Sequence, residues 1–140
     1  MKSRAPANAP SGDHRPKIIA EVGTFIGVST YALRATQALF TCDSSNDCLA
    51  ANPTEHIITH PFTTSTVMFE QMLAAGLHGQ VDMFFFDGRL TPSDAALIER
   101  LGHPRSIFVF DDCHPQIGGG KGLANIRLLQ PLAPQHGLAF

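Results

Sequence analysis

The chain has 140 residues, a length that suits one domain with a hydrophobic core of its own. Its composition is 44% hydrophobic and 16% charged with a mean hydropathy of +0.03, which excludes a disordered or collagen-like chain. A net charge of −2 offers no basic surface for nucleic acid, and no apolar run reaches the roughly 18–20 residues of a membrane span. We therefore expect a globular domain whose partners are neither nucleic acid nor membrane.

The N-terminal region and the cysteines narrow the class of protein further. Residues 1–16 are rich in Pro and Ala, show no periodicity and lack the apolar segment of a secretory signal. Three cysteines suit neither a disulfide framework nor a zinc site of the C-x-x-C kind. We predict a disordered tail over 1–16, a single domain over 17–140, and a reduced, cytoplasmic protein.

The rest of the chain alternates between apolar bursts and helical periodicity. The bursts predict strands over 18–22, 39–43, 56–60, 81–88 and 106–112, and a last strand beginning near 137. The periodicity predicts helices over 28–39, 65–75, 91–101 and 123–130. Strands alternating with helices in this way predict a doubly wound, mostly parallel α/β sheet of the Rossmann-like kind.

Acidic residues gather at or beside the ends of the predicted strands. They are Glu21, Asp43, Asp87, Asp111 and Asp112. In a parallel sheet, ligands bind outside the carboxyl ends of the strands, near the point where the strand order reverses. Strand ends also face solvent, so any one of these acids has an ordinary surface position as its alternative. The set together indicates a binding site at this edge of the sheet.

The loop after the first strand, EVGTFIGVST over 21–30, indicates what this site binds. Its glycines allow a tight turn and let a ligand approach the backbone. Phe25 stands where a GxGxxG loop has its second glycine and would crowd a pyrophosphate, which disfavours an NAD-dependent oxidoreductase. Asp43 follows Glu21 at about the spacing at which an acid takes the hydroxyl pair of a ribose. The pattern predicts a nucleoside cofactor without phosphates, such as S-adenosylmethionine.

Four segments in this order resemble class I S-adenosylmethionine-dependent methyltransferases, nearest to the O-methyltransferase group with an E-x-G-x-x-x-G-x-S-T loop. The segments are EVGTFIGVST, the CD that ends the second strand, VDMFFFDG and VFDD. The resemblance implies cofactor contacts from Glu21, Gly23 and Gly27 at the methionine part, Asp43 at the ribose, and Ser44 and Phe62 at the adenine, with Thr24 and Asp87 also in the site. A plain core position is the alternative for Phe62.

A metal site is predicted where the fourth and fifth strands end. If these strands are neighbours, Asp87, Asp111 and Asp112 lie roughly 5 Å apart and repel one another unless a cation lies between them. Mg²⁺ or another divalent cation takes such oxygen ligands. The catechol O-methyltransferase type, which the chain resembles, holds Mg²⁺ on acids at these strand ends and so orients the hydroxyl of its substrate. The alternative is that Asp87 only caps the turn at Gly88.

The candidate catalytic residues are His114 and Asp112, which follow the fifth strand. The catechol type has a lysine three residues after its first metal-binding acid, and this chain has Leu90 there. His114 and Lys121 are substitutes by location, with an ordinary surface position as the alternative for His114.

The predicted function is S-adenosylmethionine-dependent methyl transfer to a small hydroxylated molecule, with a divalent cation as a candidate aid. The alternative is a non-catalytic Rossmann-like binding or assembly module that has lost turnover. The family's sheet usually finishes with an antiparallel hairpin, but residues 115–140 leave room for a helix and at most one strand. We therefore expect this hairpin to be short or missing. An uncovered edge strand promotes association, which makes a homodimer through the sheet edge a candidate assembly.

Overall fold

Parallel strands form the centre of the domain. The structure is a computed structural model that describes residues 15–23, 33, 37–44, 57–61, 63–116 and 120–132. Within these residues the strands are β1 (Ile18–Val22), β2 (Ala38–Asp43), β3 (Ile57–Pro61), β4 (Val81–Phe86) and β5 (Gly102–Phe110). They form one all-parallel sheet in the order β3-β2-β1-β4-β5, which is Rossmann-like and reverses between β1 and β4. The predicted parallel α/β class is confirmed.

The described helices are α1 (Ser65–Ala74), α2 (Asp94–Leu101) and α3 (Lys121–Leu129), and a 3-10 turn (Gln130–Leu132) follows α3. The first of them is capped by Thr64, whose hydroxyl accepts the N–H of Val67 at 3.3 Å. It ends before Gly76, which has a φ of +85° that favours glycine. None of the described helices combines the length and the apolar character that crossing a membrane requires.

Several predicted boundaries are wrong. The fourth and fifth strands end at Phe86 and Phe110, two residues before their predicted ends. The helix predicted over 28–39 cannot reach Leu39, because β2 already begins at Ala38, whose N–H and that of Gln37 bond to the carbonyl of Lys17. Leu33 is helical, as predicted. Residues 91–93 precede α2 rather than belong to it, and α3 begins before the predicted 123.

The start of β5 also differs from the prediction, which placed it at Ser106. The strand begins at Gly102, directly after α2, and residues 103–106 bulge where its register against β4 shifts. Ser106 fills the bulge, since its hydroxyl accepts the N–H of His103 at 2.8 Å and donates to the carbonyl of Val81 at 2.7 Å. Bulged polar residues interrupt the apolar alternation, so a pattern cannot detect this part of the strand.

Both faces of the sheet are apolar. On one face Phe84 and Phe108 stack with ring centroids 5.0 Å apart, and α1 and α2 cover them. The fully buried side chains that these helices contribute are Met68, Phe69, Met72, Ile98 and Leu101. On the other face Ile19 and Leu39 pack with Leu33. Apolar residues on both faces explain why the strands read as nearly continuous apolar runs, although Ile107 of β5 is exposed on this second face.

Asp82 ties the amino ends of β1, β4 and β5 together, at the edge opposite the predicted site. Its carboxylate accepts the N–H groups of Lys17 and Ile18 at 2.8 and 3.0 Å. Nε2 of His103 lies 2.8 Å from its other oxygen and donates, because Nδ1 accepts the N–H of Arg105. Burial raises the pKa of Asp82, but these hydrogen bonds outweigh it and lower the pKa below its ordinary value of 3.8.

Replacing Asp82 with asparagine should therefore destabilise the protein in a pH-dependent way. A carboxylate whose pKa is lowered by folding stabilises the folded state above its unfolded pKa, and this stability is lost as the pH falls through the folded pKa. We expect Asp82→Asn to lower the free energy of unfolding by about 1–2 kcal/mol at neutral pH, and by much less at acidic pH, below the folded pKa of Asp82. Urea titrations across this pH range measure the difference. Glu70→Gln, on the exposed side of α1, is the control; an equal loss for Asp82→Asn at every pH would contradict the prediction.

Candidate functional site

A cleft of about 560 Å³ lies at the carboxyl ends of β1, β2 and β4. The described residues that line it include Gly23, Asp43, Ser44, Ser65, Asp87 and Lys121. Its volume falls within the roughly 300–1,000 Å³ of small-molecule and cofactor sites. The cleft lies where the strand order reverses, which is the position where sheets of this kind bind ligands.

The floor of the cleft is a close approach between the ends of β1 and β4. The N–H groups of Asp87 and Gly88 both donate to the carbonyl of Val22, at 2.9 and 2.7 Å. Gly23 has a φ of +101°, and a Cβ there would lie 2.7 Å from the Gly88 nitrogen. Gly23 is therefore required by packing between strands as well as by the turn. The sequence predicts a tight turn and the approach of a ligand here, but it does not reveal the contact with Gly88.

The end of β2 forms one wall. Asp43 is half-buried, and its carbonyl accepts the N–H of Thr63 at 3.0 Å, which holds the segment before α1 against this strand. Ser44 follows it and is exposed. Burial, and then the charge of Asp43, raise the pKa of the Cys42 thiol to about 12. Cys42 lines the cleft as a neutral thiol and has no nucleophilic character at neutral pH.

Glu21 lies away from the described wall of the cleft. It is fully buried on the sheet face that carries Ile19, and it accepts a hydrogen bond of 2.6 Å from the Thr41 hydroxyl across the β1–β2 pair. The contact between Glu21 and a cofactor stays a prediction.

The three aspartates predicted as metal ligands come together at the ends of β4 and β5. One carboxylate oxygen of each of Asp87, Asp111 and Asp112 lies within 4.8 Å of the others. Asp112 has a φ of +53°, and its N–H donates to the carboxylate of Asp111 at 2.8 Å. The prediction that β4 and β5 are neighbours, with their acids adjacent, is confirmed.

A lysine lies in this cluster. The Nζ atom of Lys121 is 2.8 Å from Oδ1 of Asp87 and 2.7 Å from Oδ2 of Asp112. Burial lowers the pKa of Lys121, but the hydrogen bonds to Asp112 and Asp87 outweigh burial and the pKa is raised. Lys121 is therefore a protonated cation at neutral pH. Three carboxylates are a suitable donor set for Mg²⁺, but two of the three already bind this ammonium, so the set fits a metal only if Lys121 moves away.

Asn125 is a residue of this region that sequence reasoning missed. It is buried on α3, where its Nδ2 donates to the carbonyl of Gly88 at 2.8 Å and its Oδ1 accepts the N–H of Leu90 at 3.0 Å. These bonds hold the loop that carries Asp87. In the sequence, Asn125 is a polar residue on the apolar face of a predicted helix. This pattern indicates a buried hydrogen bond, but it does not identify the residues that Asn125 bonds to.

Four predicted site residues remain, and one of them is described by the structure. His114 is exposed, its Nδ1 accepts the N–H of Gln116 at 3.2 Å, and it is not among the described residues that line the cleft. Thr24, Gly27 and Phe62 lie outside the described residues. Their roles stay predictions.

Comparison with known proteins does not identify a family for this chain. No family model matches the chain, and no curated protein matches it.

Proposed function

We propose that the protein is an S-adenosylmethionine-dependent methyltransferase of the class I type that transfers a methyl group to an oxygen of a small hydroxylated molecule. The observation that carries the proposal is the position of Asp43. It ends β2, lines the cleft beside the point where the strand order reverses, and is suited to bind the two hydroxyls of a ribose.

Charges of both signs line the cleft. Asp43 and Asp87 are matched by Arg89 and Lys121, and Lys121 is engaged by two carboxylates. S-adenosylmethionine carries a sulfonium cation, an amino group and a carboxylate, so it offers partners to charges of both signs. The sequence argument against a pyrophosphate remains Phe25 in the loop after β1. Asp43 would hold the ribose, Ser44 would lie at the adenine, and Gly23 with Asp87 would lie toward the methionine part.

The proposed transfer depends mainly on positioning. When bound, the cofactor supplies an electrophilic methyl group, and the protein must place a hydroxyl oxygen of the substrate in line with it. Asp87 is the carboxylate of the acidic cluster that lines the cleft, so it would orient that hydroxyl. Asp112 is connected to Asp87 through Lys121, whose ammonium bonds to both carboxylates. Its participation and that of His114 in proton transfer stay predictions.

A non-catalytic binding module is the second candidate, and the pairing of Lys121 favours it. The carboxylates of Asp87 and Asp112 are both engaged by the same ammonium, which occupies one oxygen of each that a general base would present to a substrate. Such a protein would bind the cofactor and release it unchanged.

Calorimetric titration of the full chain with S-adenosylhomocysteine tests the proposal. We expect a micromolar dissociation constant, and weaker binding of NADH because it carries a pyrophosphate. Absence of binding by a folded sample would contradict the cofactor assignment. Transfer of a labelled methyl group to catechols and other small hydroxylated compounds would then separate the candidates, since binding without transfer supports the module.

A further inference from the structure

The Lys121 ammonium lies between the carboxylates of Asp87 and Asp112, with Nζ–O distances of 2.8 and 2.7 Å. These are the two acids that flank the ends of β4 and β5, where a cation shared by the two strands would lie. The side chain of Lys121 is only 23% exposed, so it is held within the site rather than extended into solvent. Two of the three N–H donors of the ammonium are used by these bonds.

The fold determines the position of this ammonium. Lys121 is the first residue of α3, and the next residue, Gly122, is pressed against the end of β5. The N–H of Gly122 donates to the carbonyl of Asp112 at 3.2 Å, and a Cβ at Gly122 would overlap the carbonyl oxygen of Asp111. Further along α3, Asn125 bonds to the loop after β4. The start of the helix is thus anchored to both strand ends that carry the acids.

A metal ion and Lys121 compete for the same two carboxylates. A divalent cation that binds Asp87 and Asp112 must either break both ion pairs or lie beside the ammonium, where the two positive charges repel. Among the described ion pairs of Lys121, Asp111 is the one carboxylate of the three that is not engaged, and it is exposed. One carboxylate provides too few ligands for a hard cation.

We infer that Lys121 is a built-in cation that replaces a divalent metal at this edge of the cleft, so that the protein needs no metal there. Because Lys121 also lines the cleft, its third N–H is available to an oxygen of a bound ligand. The inference concerns the cleft of the proposed methyltransferase, but it depends only on the arrangement of Lys121 and the aspartates. It therefore stands or falls separately from the choice of cofactor.

Binding of Mn²⁺ to the metal-free full chain, followed by electron paramagnetic resonance, tests the inference. We expect little binding by the wild type. Lys121→Met frees both carboxylates, and we expect it to bind Mn²⁺ at least about tenfold more tightly than the wild type. Adding Asp112→Asn to Lys121→Met should abolish the gain. A folded Lys121→Met that binds Mn²⁺ no more tightly than the wild type would overturn the inference.

Two further variants keep the test specific. Arg127→Met removes the same charge from an exposed position on α3, so it reports any general effect of net charge and should leave Mn²⁺ binding unchanged. Lys121→Gln keeps a hydrogen-bond donor beside the carboxylates without the charge, and it replaces Lys121→Met if circular dichroism shows that the latter does not fold. Titration with S-adenosylhomocysteine in the presence of EDTA measures cofactor binding without any metal. The cofactor assignment and the role of Lys121 are therefore tested by separate measurements, and either can fail while the other holds.

Discussion

Replacing Asp94 with alanine should lower the free energy of unfolding by about 2–4 kcal/mol. Asp94 is fully buried at the first turn of α2. Its Oδ2 accepts the hydroxyl of Ser65 at 2.5 Å and the N–H of Thr91 at 2.8 Å, and its Oδ1 accepts the hydroxyl of Thr66 at 2.6 Å. The variant leaves these donors without their carboxylate. The Thr91 N–H is half-buried and fixed in the backbone, so it loses its partner without being able to rotate toward another.

Chemical denaturation followed by circular dichroism measures this loss. Glu99→Ala, on the exposed side of the same helix, is the matched control and should change stability by less than about 0.5 kcal/mol. Because Ser65 and Thr91 also line the cleft, Asp94→Ala should weaken S-adenosylhomocysteine binding as well. A stability equal to that of Glu99→Ala would show that the network contributes little.

Asp43→Ala should weaken the binding of S-adenosylhomocysteine by about 1–3 kcal/mol, which is roughly a 5- to 150-fold rise in the dissociation constant. This prediction depends on the proposed function, in which the carboxylate accepts hydrogen bonds from two ribose hydroxyls. Asp43→Asn keeps one acceptor oxygen and removes the charge, so its effect should be intermediate. Calorimetric titration of each variant gives the constants.

The control for Asp43 is Glu70→Gln, which removes one negative charge from an exposed position on α1. Its dissociation constant should match that of the wild type. Affinity that is unchanged in Asp43→Ala, with the wild type still binding, would remove Asp43 from the site while leaving the cofactor assignment intact. If Asp43→Ala binds both adenosine and S-adenosylhomocysteine more weakly than the wild type does, the lost contact is with the nucleoside part of the cofactor.

The strands, and the end of the sheet at which the cleft lies, can be predicted because each depends on a short stretch of sequence. An apolar run such as VDMFFF is typical of a strand in a parallel sheet, and it predicts one without reference to the rest of the chain. In the structure Val81, Phe84 and Phe86 of this strand are buried and its other residues are half-buried. The acids at Asp43, Asp87 and Asp111 follow such runs directly. Once the sheet is parallel, these acids must lie at one edge, and the structure places them there.

Strand pairing alters what two of the local signals mean. The bulge over 103–106 hides the start of β5, since its register depends on the pairing with β4. Gly23 reads as room for a ligand, whereas the backbone of Gly88 is what a Cβ there would strike. Both outcomes depend on strands that are distant in the chain.

The cation of the acidic cluster is decided by tertiary structure alone. The sequence predicts that a positive charge lies between the carboxylates of Asp87, Asp111 and Asp112. The spacing of these residues indicates a metal ion, because it does not show that a distant lysine comes close to them. Lys121 becomes that partner because α3 packs its first residues against the end of β5, where Gly122 permits the contact. Residue spacing determines which groups share a strand end, but the packing of a later helix determines which charge neutralises them.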